Sequence, residues 1–446
     1  MSAMPNDIHL RVFRERSELI LPNGKTEIFF EGVMDADAKR RLRNITQTLA
    51  GGYLEKRIIA CQDGLVVDSL KLLKEEDFEL LDKLVTAVTS EIGRALLALT
   101  IMQLSVKSIE PQQSIRLHKG GNSSKDFSWR SGISMRSLDK KFITPTLRKF
   151  DLLKLNADGF MMTRSLAENY PYSLVYKANI RGAKQEWSKI VEAVEEQTLQ
   201  SESALDYLLS KLINRAEAFK SLADRTLVTL EQVLQYKGKT IKPFALDIIS
   251  VHIAKSDYAA RIMEIAMHSL IQVMIEAGVF GSAEIKPLSQ MRSANKKHGN
   301  IGDVEILENG EIIEAWDSKY GKTYLRDEIE ELSDKLVLHP QVTVAGFVIS
   351  GEPDRLDELT PRLHDIEGMY GVRIEVVTFN EWVSNQFDRA AKDELIFESE
   401  LADNWLRAYT ESIAQKRRDL APIDEPCYEW LNELNTILLA TLKTFN

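Results

Sequence analysis

The sequence predicts a mixed α/β protein, of the α+β kind, in which a largely helical N-terminal region precedes one α/β unit. Three observations lead there. Residues 255–383 alternate helical and strand-like patterns in the order α-β-β-β-α-β-α-β. Residues 187–236 carry Leu205, Leu208, Leu212, Ala216, Phe219, Ala223 and Leu230 at spacings of three, four or seven, the signature of a long helix. The chain's 446 residues also exceed what one ordinary core organises.

Taken in order, IHLRVF and TEIFFEGV read as strands, followed by a charged helix from Asp35 to Leu49. RIIACQDGLVV reads as another strand, and Lys74 to Val106 as a long helix. Glu110 to Gly132 is polar and rich in Gly and Ser, which predicts a mobile loop or linker. Ser134–Lys141 and Thr144–Leu153 read as two helices, the second opened by Pro145. The following KLNADGFMMTRS reads as a hairpin turning at Asn156-Ala157-Asp158-Gly159. Pro243 interrupts the helical connector. The expected division is 1–110, an α/β region; 111–186, a basic module; 187–250, a helical connector; 251–388, the α/β unit; and 389–446, C-terminal helices.

Composition excludes several classes. Cys61 and Cys427 are the only cysteines, too few for a cysteine-rich zinc site or a disulfide framework, and a reducing cytoplasm is the expected compartment. The N-terminus lacks the apolar run of a secretory signal. Ile92–Val106, the most apolar stretch, falls short of the ~20 residues a membrane span needs and reads as a buried helix. Gly321-Lys322-Thr323 resembles the end of a phosphate-binding loop, but Trp316 stands where that loop needs glycine.

Charge is uneven. The chain carries a net charge of −10, yet residues 116–184 hold fourteen Lys or Arg against five Asp or Glu, a net +9. A basic island in an acidic chain suggests a face for a polyanion. Helix, helix, hairpin is the order of a winged helix-turn-helix, whose second helix enters the major groove. Arg136, Lys140, Lys141, Thr144, Thr146, Arg148, Lys149 and Arg164 are therefore the candidate DNA-contacting residues.

The chemistry is expected further on. Asp303 opens one strand, Glu308-Asn309-Gly310 turns the chain, and Asp317 and Lys319 lie near the end of the next strand. With a side-chain period of two, Asp317 and Lys319 share a face with Ala315 and Ile313, while Ser318 points away. Two carboxylates brought together repel unless a cation lies between them. Oxygen ligands with room for water suit Mg²⁺. Lys319 is placed to orient water and offset charge, and Glu264 on the preceding helix to complete the site as an outer or second-metal ligand. Two other acid-x-Lys tripeptides, at Asp139-Lys140-Lys141 and Glu284-Ile285-Lys286, lack this context.

Asp303 followed by Asp317-Ser318-Lys319 on adjacent strands of an αβββαβ core resembles the PD-(D/E)xK nuclease superfamily, which includes type II restriction endonucleases, repair nucleases and transposase subunits. The resemblance covers residues 255–383, and Gly302 stands where the family name records a proline. It implies a restriction-endonuclease-like core in which Asp303 and Asp317 hold the metal, Lys319 is the catalytic lysine and Glu264 the helical acid. The expected function is a Mg²⁺-dependent, sequence-specific endonuclease cutting double-stranded DNA as a type II restriction enzyme. A homodimer and a separate DNA methyltransferase are the expected partners. The alternatives are a less specific defence or repair nuclease working with partners, and a catalytically inert DNA-binding regulator.

Overall fold

The computed structural model describes residues 8–88, 91–153, 155–180, 182–237, 242–288, 299–392, 395–416 and 426–445. The chain divides into two compact units, 1–218 and 219–446.

The first unit begins with an antiparallel sheet in the order β1 (His9–Val12), β2 (Arg16–Ile20), β3 (Thr26–Phe30). Leu19 and Phe29 on one face of it pack with Leu117 and Trp129. Helices follow: α1 (Ala36–Ala50), capped by the Asp35 carboxylate on the Ala38 N–H, α2 (Tyr53–Gln62), α3 (Val67–Leu70), α4 (Glu75–Thr86) and α5 (Glu91–Ile109). The expected strand RIIACQDGLVV is instead the end of α2, a turn and the start of α3. Leu54 and Ile58, four residues apart, both go into the core, a helical spacing masked by the short β-branched run. Helix α5 is buried on every side, as expected. Its one mid-helix amide, Gln103, is satisfied by the Ile115 carbonyl and the Trp187 indole N–H.

The Gly- and Ser-rich stretch after α5 is no loose linker. Ile115, Leu117 and Trp129 are buried, and Trp129 bridges to Glu31 beyond β3. Arg116, fully buried, donates to Glu27 and Glu192. A Cβ on Gly120 would lie 2.3 Å from the Gly132 carbonyl oxygen, so these glycines serve close backbone approach rather than mobility.

The winged helix-turn-helix does not form. Residues 135–149 are one helical run: α6 (Met135–Leu138), a π turn over Asp139–Ile143 and α7 (Thr144–Lys149). Pro145 does not separate two helices; it follows the π turn, where the Thr144 N–H reaches back to the Asp139 carbonyl and the helix is already widened. The Asn156–Gly159 turn is present, with the Gly159 N–H on the Asn156 carbonyl, but no ladder follows it. Its C-terminal arm is two 3₁₀ turns, Phe160–Met162 and Arg164–Leu166, because Phe160, Met161 and Leu166 go into the unit's core instead of alternating. The basic segment thus shares that core rather than forming a module of its own. Helices α8 (Lys184–Glu195) and α9 (Ser201–Lys237) follow, the latter running into the second unit's sequence.

The second unit opens with α10 (Lys242–Lys255), with Pro243 in its first turn, and α11 (Ala259–Glu276), stopped at Gly278 with φ +83°. Five strands form one sheet in chain order: β4 (Glu284–Ile285), β5 (Val304–Glu308), β6 (Glu311–Lys319), β7 (Val344–Ile349) and β8 (Arg373–Thr378). The β4–β5 and β5–β6 pairs are antiparallel, β6–β7 and β7–β8 parallel. Asn309 and Gly310, with φ of +52° and +85°, make the tight turn their sequence predicts. Helix α12 (Arg326–Leu336) links β6 to β7 and α13 (Leu356–Tyr370) links β7 to β8, as parallel pairs require. Ala315, Ala345 and Phe347 face α12 and α13, whereas Val304, Ile306, Trp316 and Val348 join a second core with α10 and α11.

One expectation about this sheet fails. Ile313 does not share the Ala315 face: the β5–β6 register shifts between Ile306 and Leu307, leaving Ile313 as the bulged residue, packed on the opposite core. The remaining helices, α14 (Phe379–Lys392), α15 (Glu398–Glu411) and α16 (Cys427–Phe445), complete that core with Trp382, Trp405, Tyr409 and Trp430. His252 on α10 joins them, its Nδ1 2.6 Å from the Tyr409 hydroxyl and its Nε2 2.8 Å from the Trp430 carbonyl. Among the described residues no helix is long and apolar enough to cross a membrane.

Candidate active site

The β5–β6 hairpin brings the predicted acids together. Its register pairs Val304 with Trp316 and Glu305 with Ala315, and the Asp303 N–H donates to the Trp316 carbonyl at 2.9 Å. Asp303 therefore stands opposite Asp317 on the neighbouring strand. The Lys319 Nζ, two residues along, lies 2.7 Å from Asp317 Oδ2. Asp303 Oδ2 accepts the Ser318 N–H at 3.0 Å, tying the start of β5 to the end of β6. The Ser318 hydroxyl turns the other way and donates to the Ala260 carbonyl on α11. Alternation along β6 thus separates Asp317 and Lys319 from Ser318, as the sequence predicts.

The electrostatics of this group are strained. Burial raises the Asp303 carboxyl above the ordinary range, and the Glu264 charge adds to it. Asp317 is only 8% exposed, and burial followed by repulsion from Asp303 pushes its carboxyl up to about 7. Burial pulls the Lys319 ammonium down, but Asp317, then Asp303 and Glu328, outweigh it and leave its pKa above the ordinary lysine value. Asp317 Oδ1 is buried without a hydrogen-bond partner. A buried carboxylate oxygen next to a second carboxylate, with nothing donating to it, asks for a shared proton or a cation.

Glu264 is buried on α11 and ion-paired with Arg261 one turn earlier. It is near enough to influence Asp303, yet its charge is balanced by that arginine. Among the described residues, no three His, Cys, Asp or Glu converge as a ready set of metal ligands. The donor set is therefore the Asp303–Asp317 pair, which fits Mg²⁺: that ion often takes one or two protein carboxylates and keeps several waters.

A small cavity adjoins the pair, lined by Ile301, Gly302, Asp317, Glu328, Lys335 and Phe347. Glu328 on α12 pairs with Lys322 and leaves its Oε2 buried and unpartnered. The sequence reading missed Glu328, which an amphipathic, acidic helix hides among its neighbours. It also missed Glu305, whose place two residues after Asp303 puts both acids on one face of β5.

The eight candidate DNA contacts lie in the first unit and fare unevenly. Thr144 is fully buried and donates to Asp139, so it is not a surface contact. Thr146 is half-buried. Arg136, Lys140, Lys141, Arg148, Lys149 and Arg164 are exposed, but several are already engaged. Lys140 pairs with Asp158 at 3.1 Å and Lys149 with Glu55 at 2.6 Å, while Arg136 donates to the Met161 carbonyl and Arg148 to that of Leu155. The segment's +9 overstates its free positive surface, since Arg116 is buried in ion pairs and Lys184 donates to two carbonyls. The basic loop that precedes Asp303 lies, for residues 289–298, outside the described residues.

No protein-family model matches this sequence, and no curated protein matches it either. Geometry and chemistry carry the functional reading.

Proposed function

We propose that the protein is a Mg²⁺-dependent DNA endonuclease whose catalytic centre is Asp303, Asp317 and Lys319. One observation carries the reading: a half-buried Asp303 and a buried Asp317 oppose each other across an antiparallel hairpin, one Asp317 oxygen lacks any donor, and a lysine stands 2.7 Å away. The strand and helix order around them, α11-β4-β5-β6-α12-β7-α13-β8, supports a restriction-endonuclease-like core.

Asp303 and Asp317 would hold the ion, which when bound supplies Lewis-acid chemistry at a phosphoryl oxygen and a more acidic water. The residues of the chain do the rest. Asp303 is fixed by the Ser318 N–H, so its carboxylate is presented in one orientation. Lys319 keeps its proton, because the acids beside it raise its pKa. It therefore acts as an ammonium that donates to water or phosphate and offsets charge, not as the general base. Glu264, neutralised by Arg261, tunes Asp303 from behind the sheet.

Within that class, a type II restriction enzyme cutting as a homodimer, with a separate methyltransferase protecting the host, remains the first reading. Loss of the winged-helix module removes the part expected to read base edges, which favours the second reading, a less specific defence or repair nuclease acting with partners. Incubation of the full chain with several plasmids and Mg²⁺ tests both. Discrete fragments support restriction and a smear the less specific enzyme. Supercoiled DNA left intact overturns the nuclease reading, and DNA bound with EDTA present would then support the catalytically inert DNA-binding regulator.

A further inference from the structure

The stretch that delivers Asp303 is held from both sides by side chains outside the catalytic trio. Glu305 is 1% exposed, and neither of its carboxylate oxygens is free. Its Oε1 accepts the N–H groups of Ile301 at 2.5 Å and Gly302 at 3.2 Å. Its Oε2 takes the Lys286 Nζ at 2.5 Å, and the same ammonium donates to Asn300 Oδ1 at 2.9 Å. On the other side Lys335 from α12 donates to the Ile301 carbonyl at 3.2 Å. Residue 302 has no room for a side chain, and proline is excluded there twice over. A Cβ would come within 2.6 Å of the Trp316 carbonyl oxygen, and the N–H bound by Glu305 is one a proline lacks.

We propose that Glu305, charge-balanced by Lys286, is a positioning residue that sets the cation affinity of the site by fixing the backbone from which Asp303 projects. Glycine leaves φ at residue 302 loosely determined, and the carboxylate clamp on two successive N–H groups supplies the restraint the residue itself does not. Lys286 explains the stray acid-x-Lys match at Glu284-Ile285-Lys286: its ammonium serves the loop and not a reacting group. The inference rests on the reading that Asp303 and Asp317 hold a divalent ion.

The test is Mn²⁺ binding to the full chain, followed by electron paramagnetic resonance, in wild type, Asp303→Asn, Glu305→Gln and Lys286→Met, with melting midpoints and Mg²⁺-dependent plasmid cleavage alongside. We expect one site in wild type that Asp303→Asn abolishes. Glu305→Gln should weaken it about tenfold, the scale of a lost outer partner, and Lys286→Met should weaken it less. In cleavage, the Glu305→Gln defect should appear as a higher half-saturating Mg²⁺ concentration and largely recover at excess Mg²⁺, which a general loss of structure would not do. Wild-type affinity in Glu305→Gln overturns the positioning role while leaving the nuclease reading untouched. Tight Mn²⁺ binding without cleavage sinks the nuclease reading, and the Glu305→Gln affinity still decides the clamp. No Mn²⁺ bound by wild type overturns both. Should Glu305→Gln fail to fold, Lys286→Met, on a partly exposed side chain, carries the decision, with unchanged affinity again counting against the clamp.

Discussion

Asp139 in the first unit and Asp317 in the second are both buried aspartates whose carboxyls burial pushes upward, to about 6 and about 7. Their surroundings differ in kind. Asp139 sits at the π turn with the Thr144 hydroxyl on one oxygen and the Met161 N–H on the other, at 2.6 and 2.8 Å. Gly159 passes so close that a Cβ there would meet its carboxylate at 2.4 Å. Asp317 faces a second acid and keeps one oxygen unpartnered. The lesson is that a raised carboxyl alone does not mark a reactive site. What separates the two is whether the fold satisfies the charge or leaves it for something else.

The largest way to break this comparison is Asp317→Ala. Plasmid cleavage with Mg²⁺ should fall roughly a thousandfold, on the several kcal/mol that metal-held charge stabilisation provides. The melting midpoint should hold or rise, because a repelling buried charge is gone. A protein that still cuts at the normal rate sinks the site. Asp139→Ala should do the reverse: it leaves two buried donors unpaired and costs about 2–3 kcal/mol in denaturant unfolding, with cleavage retained in the folded fraction.

The pH dependence of Asp139 sharpens the contrast. Its folded-state carboxyl is raised from 3.8 to about 6, so its stabilising protonated form is fully present below about pH 3.8 and lost as pH rises through 6. Asp139→Asn does not titrate, and its amide can face Thr144 while its oxygen keeps the Met161 N–H. The stability of this variant relative to wild type should climb between about pH 4 and 6.5 by roughly 2 kcal/mol and then level off. A flat difference across that range would show that burial does not govern Asp139. Smaller still, Gly310→Ala places a side chain at φ +85° in the site hairpin and should cost about 1 kcal/mol of unfolding free energy. Lys140→Ala breaks only the exposed pair with Asp158 and should shift stability by less than about 0.5 kcal/mol.

The second unit was legible in sequence because each of its signals is local. Asn309-Gly310 forces the turn, the two-residue period sets Asp317 and Lys319 on one side, and Gly278 ends α11. The bulge at Ile313 was not legible, since it depends on how β6 matches β5 and not on β6 alone. The first unit misled for the same reason in reverse. Pro145 and the Asn156–Gly159 turn are genuine local signals, but burial of Leu138, Ile143, Leu147, Phe160 and Met161 in one shared core decides what lies between them. Glu305 escaped notice, and Lys286 was seen only as a stray tripeptide match, because Glu305 acts through the backbone N–H groups of Ile301 and Gly302 and Lys286 through Glu305, which no side-chain pattern reveals.

His252 carries a practical message for anyone trimming this chain. Its two ring nitrogens reach helices that begin at Glu398 and Cys427, and burial holds its pKa at about 4, so the ring stays neutral at physiological pH while bridging them. The segment beyond the last strand is therefore interior structure: removing α15 and α16 would strip cover from Ile262, Ile265 and Phe387 and yield an insoluble fragment, not a minimal form of the second unit.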